Sequence, residues 1–358
     1  MRVLIAPDKF AGTLTALEAA QAIAQGWARQ APDDVLDLAP MADGGPGFVD
    51  VLHASRGGDL VAVSVRSPQG DVVPATVLLS GEYVESAQAC GIHLLAGPAA
   101  SASTYGVGEL VAAAVDAGAR RVVVGLGGSG TNDGGAGMLA ALGATSDVDL
   151  SSGGAALGSI TRVDLTQALA KVSGVEIVVA SDVDIPLTGL FGATKTFGPQ
   201  KGVAESEIAG LDACLEAFAR AAGRRVSLDK GAGAAGGLGY ALMLLGGRRV
   251  PGIDLVAQAV DLPQRARAAD LVVTGEGAFD FSSRSGKVPY GVAHVAAEAI
   301  RPCVALAGQV LVGSREMRAL GIEAAYSMVD LVGSEASFGS PYDSLSTLAQ
   351  RVARTWSP

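Results

Sequence analysis

Histidine and cysteine are scarce in this chain, with three of each in 358 residues. Cys90, Cys214 and Cys303 lie far apart and form no C-x-x-C pair. Neither a zinc site nor a disulfide framework is suggested by that spacing, and buried apolar thiols are expected instead. His53, His93 and His294 are equally scattered, which argues against a histidine metal site or a Ser–His triad. Basic charge is also in short supply: 26 Lys and Arg face 36 Asp and Glu, a net charge of −10. Sequence-independent nucleic-acid binding needs a basic surface, so no nucleic-acid partner is expected. An anionic small substrate stays open, because local lysines and backbone N–H groups can outweigh the global sign.

Long apolar runs are missing too, although the mean hydropathy is positive. Stretches such as Val122–Val124 and Tyr240–Leu245 fall far short of the roughly 20 residues a spanning helix needs, so no membrane partner is expected. Met1-Arg2 leads straight into a short β-like run and Pro7-Asp8, without the small-residue cleavage pattern of a secretory leader. A cytoplasmic chain is expected. Aromatic residues make up only 4%. The apolar mass is Ala, Val and Leu, which suits helices packed closely on a parallel sheet.

What is present is globular: 49% hydrophobic and 17% charged, with length enough for two average domains. Arg2–Ala6 reads as a buried strand. Thr15-Ala16-Leu17-Glu18 is a capping box opening a helix, along which Leu17, Ala20, Ile23, Ala24 and Trp27 recur at helical spacing. Val35–Ala39 closes a β-α-β start, which favours a parallel sheet. From Asp59 the pattern changes to a meander: Leu60–Val65, a turn at Pro68–Asp71, Val72–Leu79, a Ser80-Gly81 turn, and Tyr83–Ala87. A domain boundary is placed near Ser64 on this switch. Helix and strand then alternate through a helix at Tyr105–Ala117, a strand at Arg121–Val124, a helix at Gly134–Leu142, a loop at Ser146–Ser159, a strand at Val175–Ala180 and a helix at Glu205–Ala222. Leu271–Thr274 and Pro302–Ala307 read as buried strands and Ser344–Thr355 as the closing helix. The late β-α-β run matches the opening one, so the two chain ends are expected to fold together around an inserted middle.

Chemistry-bearing residues cluster just after the predicted strands, where open α/β sheets bind ligands. Asp8-Lys9 follows the first strand and Asp43-Gly44-Gly45 the second. Gly125 to Gly137 follows Val122–Val124, Asp182-Val183-Asp184 follows Val175–Ala180, and Glu276 and Asp280 follow Leu271–Thr274. In the Gly125–Gly137 stretch, glycines let backbone approach a ligand, and N–H groups at a helix start can hold phosphate oxygens. Ser129, Thr131 and Asn132 add neutral donors, and Asp133 a carboxylate that could hold Mg²⁺. A Gly-rich turn with an Asn-Asp cap is the plainer alternative. The stretch also matches G-x-G-x-x-G through Gly125, Gly127 and Gly130, yet Asp147 and Asp149 follow no strand as a dinucleotide site requires. No Walker A motif is present, since Val288 follows Gly286-Lys287. Asp182 and Asp184 project to one side of an extended loop, suiting Mg²⁺ or proton abstraction, or else an Asx turn. Lys201 is expected exposed on the tight Gly198–Gly202 loop, and Lys287 follows the Glu276 segment. Gly231–Gly239 fits a second phosphate cradle or a closely packed helix start.

Taken together, Ala6-Pro7-Asp8-Lys9-Phe10, Ala42-Asp43-Gly44-Gly45, Gly125 to Gly137, Asp182-Val183-Asp184 with Pro186-Leu187, Phe197 to Gly202, Gly233 to Gly239, and Thr274–Gly277 with Ser285-Gly286-Lys287 resemble the bacterial glycerate kinase family of the non-P-loop type. These motifs span nearly the whole chain. The resemblance implies ATP and Mg²⁺, with D-glycerate phosphorylated to 2- or 3-phosphoglycerate. It also implies two α/β domains, one flavodoxin-like (1–63 plus 262–358) and one inserted mixed-sheet domain (64–261). Where the family usually has charged residues, this chain carries Ala11, Pro46 and Ala278; Ile185 and Gly130 also depart from its pattern.

The expected chemistry is in-line transfer of a γ-phosphoryl group, which depends on positioning and charge neutralisation. Gly127, Gly128, Ser129, Gly130, Thr131 and Asn132 are expected to hold nucleotide phosphates, as one wall of a cleft, and Asp133 or Asp184 to bind the metal. Asp182 is the expected base, with Asp43 and Asp280 as rivals. Lys9, Lys201 or Lys287 would pair with the acceptor carboxylate or the transferring phosphoryl group, and Asp8 and Glu276 are expected at the substrate. Two rivals stand beside this reading: a nicotinamide-dependent oxidoreductase, from the G-x-G-x-x-G match, and a family member that binds without catalysing.

Overall fold

The computed structural model describes residues 1–280 and 287–357. Its strands follow in chain order as β1 (Arg2–Ile5), β2 (Val35–Leu38), β3 (Asp59–Arg66), β4 (Val72–Leu79), β5 (Tyr83–Glu85), β6 (Arg121–Gly125), β7 (Thr145–Ser146), β8 (Val163–Asp164), β9 (Glu176–Ala180), β10 (Arg248–Val250), β11 (Leu271–Phe279), β12 (Cys303–Val310) and β13 (Ala324–Ser327). The chain divides into two compact units. One comprises 1–43, 50–56 and 253–358; the other comprises 44–49 and 57–252. The first therefore joins both chain ends. The division falls earlier than a boundary at Ser64, which would cut β3. All of β3 from Asp59 to Arg66 pairs with β4, so the strand belongs whole to the second unit. The later division likewise falls at Ile253 rather than near Asp261.

The first unit is built on a five-stranded parallel sheet in the order β13-β12-β11-β1-β2. Counted within the unit this is the flavodoxin-like order 2-1-3-4-5. From β1 the chain steps to β2 on one side, and from β11 it steps away through β12 to β13 on the other. The order thus reverses between β1 and β11, the crevice where such sheets bind ligands. Val3–Ile5 of β1 and Leu271–Val273 of β11 are apolar runs because helices cover parallel sheets on both faces. The helix Ala16–Gln30 starts at the expected capping box: the Glu18 N–H donates to Thr15 Oγ1 at 3.2 Å, and the Thr15 N–H donates to Glu18 Oε2 at 2.9 Å. Its Ala19, Ile23 and Trp27 pack in one core with Leu345, Leu348 and Val352 of the helix Pro341–Trp356. Burying each of the Ile, Leu and Val side chains there contributes about 1.5–3 kcal/mol. The two helices approach so closely that a Cβ on Gly26 would lie 1.9 Å from the Ser346 carbonyl oxygen.

The second unit carries a six-stranded mixed sheet, β10-β9-β6-β5-β4-β3. β5, β6, β9 and β10 are parallel, and β3 and β4 form the antiparallel hairpin expected from the meander. Its strands step one way throughout, so this sheet has no reversal point. Leu215 and Phe218 of the helix Glu205–Ala222 enter its core, with Phe218 edge-on to Tyr240 at 5.8 Å.

Three elements differ from expectation. β11 runs on to Phe279, so Glu276 lies within a strand rather than in a loop after it. The segment read as a loop from Ser146 to Ser159 begins with β7 and ends in a 3₁₀ helix at Gly154–Ser159. The helix expected from Gly134 starts at Ala136, because Gly134 and Gly135 hold φ of +66° and +75° to turn the chain into it. Ser285 and Gly286, and Arg284 between them and β11, lie outside the described residues.

Candidate active site

At the reversal point of the first unit, the β1 pairing with β11 continues past the strand end. The Thr274 hydroxyl donates to the Ala6 carbonyl at 3.0 Å and the Asp8 N–H donates to the Gly275 carbonyl at 2.8 Å. This fixes Asp8 beside the segment that carries Glu276. Asp8 is 6% exposed and Glu276 5% exposed. Asp8 Oδ1 accepts the Lys9 backbone N–H at 2.8 Å and lies 3.5 Å from Lys9 Nζ. The same ammonium lies 3.8 Å from Asp43 Oδ1. Lys287 Nζ lies 3.8 Å from Glu276 Oε2 and 3.9 Å from Asp280 Oδ1. Burial pushes the Asp8 carboxyl up to about 7; Lys9 opposes this, while Asp43 and Glu276 add to it. Six of the expected site residues, Asp8, Lys9, Asp43, Glu276, Asp280 and Lys287, are thus gathered in one unit. A cavity of about 170 Å³ opens at the same strand ends, lined by Phe10, Ala11, Gly277, Ala278, Gln309 and Phe338 among others. A larger one of about 370 Å³ lies by Leu17, Pro40 and Ser55, but its Arg265 is already held by Asp37 and the Leu38 carbonyl, so it offers little chemistry.

The Gly-rich segment of the second unit is organised differently. Ser129, Thr131, Asn132 and Asp133 are buried, and only Gly127 and Gly128 reach the surface. The Gly130 N–H donates to the Cys90 carbonyl and the Gly134 N–H to the Gly236 carbonyl. Asp133 is wholly buried and accepts four bonds: from Thr104 N and Oγ1, both at 2.8 Å, from Gly135 N at 3.0 Å and from Gly137 N at 3.2 Å. Burial raises its pKa against the pull of those bonds. Ser129 and Thr131 pair hydroxyl to hydroxyl at 2.9 Å, and Asn132 Nδ2 donates to Thr194 Oγ1 at 2.9 Å. The Gly231–Gly239 segment packs here rather than cradling a ligand: a Cβ on Gly236 would lie 2.0 Å from the Thr131 carbonyl oxygen. Lys201, expected on an exposed loop, is 5% exposed, because its ammonium reaches inward and donates to that carbonyl at 2.6 Å. Burial lowers its pKa to about 8, while Cys90 and Asp133 raise it. Asp184 is exposed but lies 2.5 Å from an Arg249 guanidinium nitrogen and 3.8 Å from Lys230. Asp182 beside it is half-buried.

The sequence profile of the glycerate kinase family matches residues 3–357. The chain belongs to the glycerate kinase family. It is 39% identical to a glycerate kinase of Halalkalibacterium halodurans and 36% identical to a glycerate 2-kinase of Escherichia coli, each match covering 99% of this chain and 98% of the relative. A crystal structure described as a candidate glycerate kinase 2 from Salmonella typhimurium LT2 superposes with a TM-score of 0.81 at 36% identity, covering 99% and 98% of the two chains. The glycerate kinase family places this chain among the phosphotransferases that act on an alcohol group.

That membership displaces the oxidoreductase rival, and the geometry agrees. Asp147, the nearest acid for a dinucleotide ribose, instead holds the Thr161 hydroxyl and the Thr161 and Arg162 N–H groups, which draw its carboxyl down to about 2. The metal assignment does not fit the residues proposed for it. Asp133 already accepts four hydrogen bonds out of reach of solvent, and Asp184 is matched by two cations. Among the described residues no group of three or more His, Cys, Asp or Glu side chains could hold a metal. Mg²⁺ carried by nucleotide phosphates needs only one or two carboxylates, and is untouched by this.

Sequence reasoning passed over Glu85 and Thr104, and read Cys90 only as a buried thiol. Glu85, 5% exposed at the end of β5, accepts the Gly47 N–H at 3.1 Å and the Val49 N–H at 3.3 Å, so it fixes the turn after Asp43. A lone acid ending an apolar strand was the signal, the same one that marked Asp8. Thr104 and Cys90 gave none, because their partners lie 29 and 39 residues away in the chain. Cys90 and Cys303 are buried, as expected, and burial pushes their thiols up to about 11 and about 12, whereas Cys214, expected buried too, is only half-buried.

Proposed function

We propose that this protein is an ATP-dependent glycerate kinase that phosphorylates D-glycerate, with release of ADP, at the 2-hydroxyl. The observation that carries the reading is the acid–lysine cluster at the β1–β11 reversal point in a chain matched to this family from end to end. A small hydroxy acid needs cationic partners for its carboxylate and a carboxylate beside its hydroxyl, and Lys9, Lys287, Asp8 and Glu276 supply both within one unit. The name of the Escherichia coli relative supports the 2-hydroxyl as acceptor. On the nucleotide side, Gly127 and Gly128 are the accessible part of the Gly-rich segment and would take phosphate oxygens on their backbone. The buried residues behind them, from Ser129 to Asp133 with Lys201, keep that turn in shape. ATP supplies the phosphoryl group; this chain's residues orient the acceptor and neutralise its charge.

The test is ADP release by purified protein with ATP, Mg²⁺ and D-glycerate, followed by phosphorus NMR of the product. Glycerate-dependent turnover with 2-phosphoglycerate as product is expected. Turnover giving 3-phosphoglycerate overturns the hydroxyl assignment alone. ATP and D-glycerate binding without turnover would leave the non-catalytic rival standing.

A further inference from the structure

We infer that Asp8, not Asp182, accepts the hydroxyl proton during phosphoryl transfer. The inference rests on the glycerate kinase reading above and assigns the one role that reading leaves open. Three features of the first unit carry it. Asp8 stands at the β1–β11 reversal point, where this sheet type opens its ligand crevice, whereas Asp182 follows β9 in a sheet whose strands never reverse. Its two oxygens are also unequal. Oδ1 is held by the Lys9 N–H and ammonium, while Oδ2 has no hydrogen-bond partner among the described residues. Finally, the groups around it keep it poised. Lys9 faces it from its own loop, Asp43 from the segment after β2, and Glu276 from β11, with Lys287 and Asp280 beyond Glu276. Among the described residues, burial with Asp43 and Glu276 outweighs Lys9 and raises this carboxyl to about 7, the range where a general base works best.

In the step itself, the acceptor oxygen bonds to the γ-phosphorus as the bond from that phosphorus to the β–γ bridging oxygen breaks. The bridging oxygen keeps the electron pair and leaves on ADP. The hydroxyl proton passes to Asp8 Oδ2 and then to water.

Steady-state rates across pH 5.5–9 test this in the unaltered enzyme and in Asp8→Asn, Asp8→Glu and Asp182→Asn. The unaltered enzyme is expected to lose kcat/KM below an apparent pKa near 7. Asp8→Asn should lower kcat by about 10²–10⁴-fold and abolish that acid limb, with KM for D-glycerate changing far less. Its thermal midpoint should rise at pH 8, because a buried charge has been removed; a purely structural residue would lower it. Asp8→Glu should restore part of kcat and bring back an acid limb. The inference is overturned if Asp8→Asn stays within tenfold of normal and keeps the limb, or if Asp182→Asn is the variant that erases it. Failure of the unaltered enzyme to phosphorylate D-glycerate is a different result: it removes the function reading itself, before any variant is compared.

Discussion

The turn after β6, with Lys201 reaching into it, and the cluster at the ends of β1 and β11 both combine acids, lysines and small residues beyond buried strands. In the second unit, Asp133 accepts four hydrogen bonds, Lys201 donates to a buried carbonyl, and Ser129, Thr131 and Asn132 bond to one another or to Thr194. In the cluster of the first unit, the cation–acid distances among the described residues are long, 3.5 to 3.9 Å, and Asp8 keeps an oxygen without a partner among those residues. Satisfied buried polar groups make a rigid scaffold, while incompletely satisfied ones retain the capacity to bind and to exchange protons. The difference separates a residue that shapes a site from one that reacts in it, although both look alike in sequence.

The sharpest way to break this comparison is Asp133→Ala. It strands three N–H donors and a hydroxyl in the core, each costing about 1–3 kcal/mol. The variant is expected to lose at least 4 kcal/mol in urea denaturation or to be insoluble. If Asp133→Asn instead folds normally and raises the Mg²⁺ concentration needed for half-maximal rate tenfold, Asp133 belongs to the reacting group after all.

Asp8→Asn should act in the opposite direction. A carboxyl whose folded pKa is raised binds its proton more tightly in the folded state, so its stability contribution is present below the unfolded pKa of about 3.9 and is lost as pH rises through about 7. Replacing it with a neutral isostere should therefore add about 2–4 kcal/mol at pH 8 and nothing at pH 3.5, measured by denaturation at both. A variant weaker than the parent at pH 8 contradicts the account of Asp8 as an under-satisfied acid.

Lys201→Met keeps the side-chain volume but deprives the Thr131 carbonyl of its donor. A loss of about 1–2 kcal/mol is expected, with lowered kcat through a loosened Gly127–Gly128 turn. Unchanged stability with a raised KM for ATP would show that the ammonium serves the nucleotide rather than the turn. The smallest effect is expected from Asp184→Asn. An exposed acid paired with Arg249 and Lys230 contributes about 0–1 kcal/mol, and the Mg²⁺ dependence of the rate should not move. A marked rise in the Mg²⁺ requirement would return the metal role to Asp184.

Much of the fold is legible in the sequence because its causes are local. The Thr15–Glu18 capping box, the alternation through β3 and β4, and the apolar runs Val3–Ile5 and Leu271–Val273 all rest on neighbours within a few residues. The matching patterns of the two chain ends also pointed to their shared sheet. The composition of the site was legible for the same reason: acids and lysines beyond strand ends stand out against a chain of Ala, Val and Leu.

The sequence by itself determined the elements, the pairing of the chain ends and the residue types at the site. Only the tertiary structure decided which of those residues keep chemical freedom. Lys201 turned inward because the Thr131 carbonyl lies within reach across 70 residues of chain. Asp133 became a scaffold through Thr104, 29 residues before it. Asp8 became the poised acid through strand pairing with a segment more than 260 residues away. A side chain's charge and proton affinity depend on which partners and how much water surround it, and long-range packing sets both.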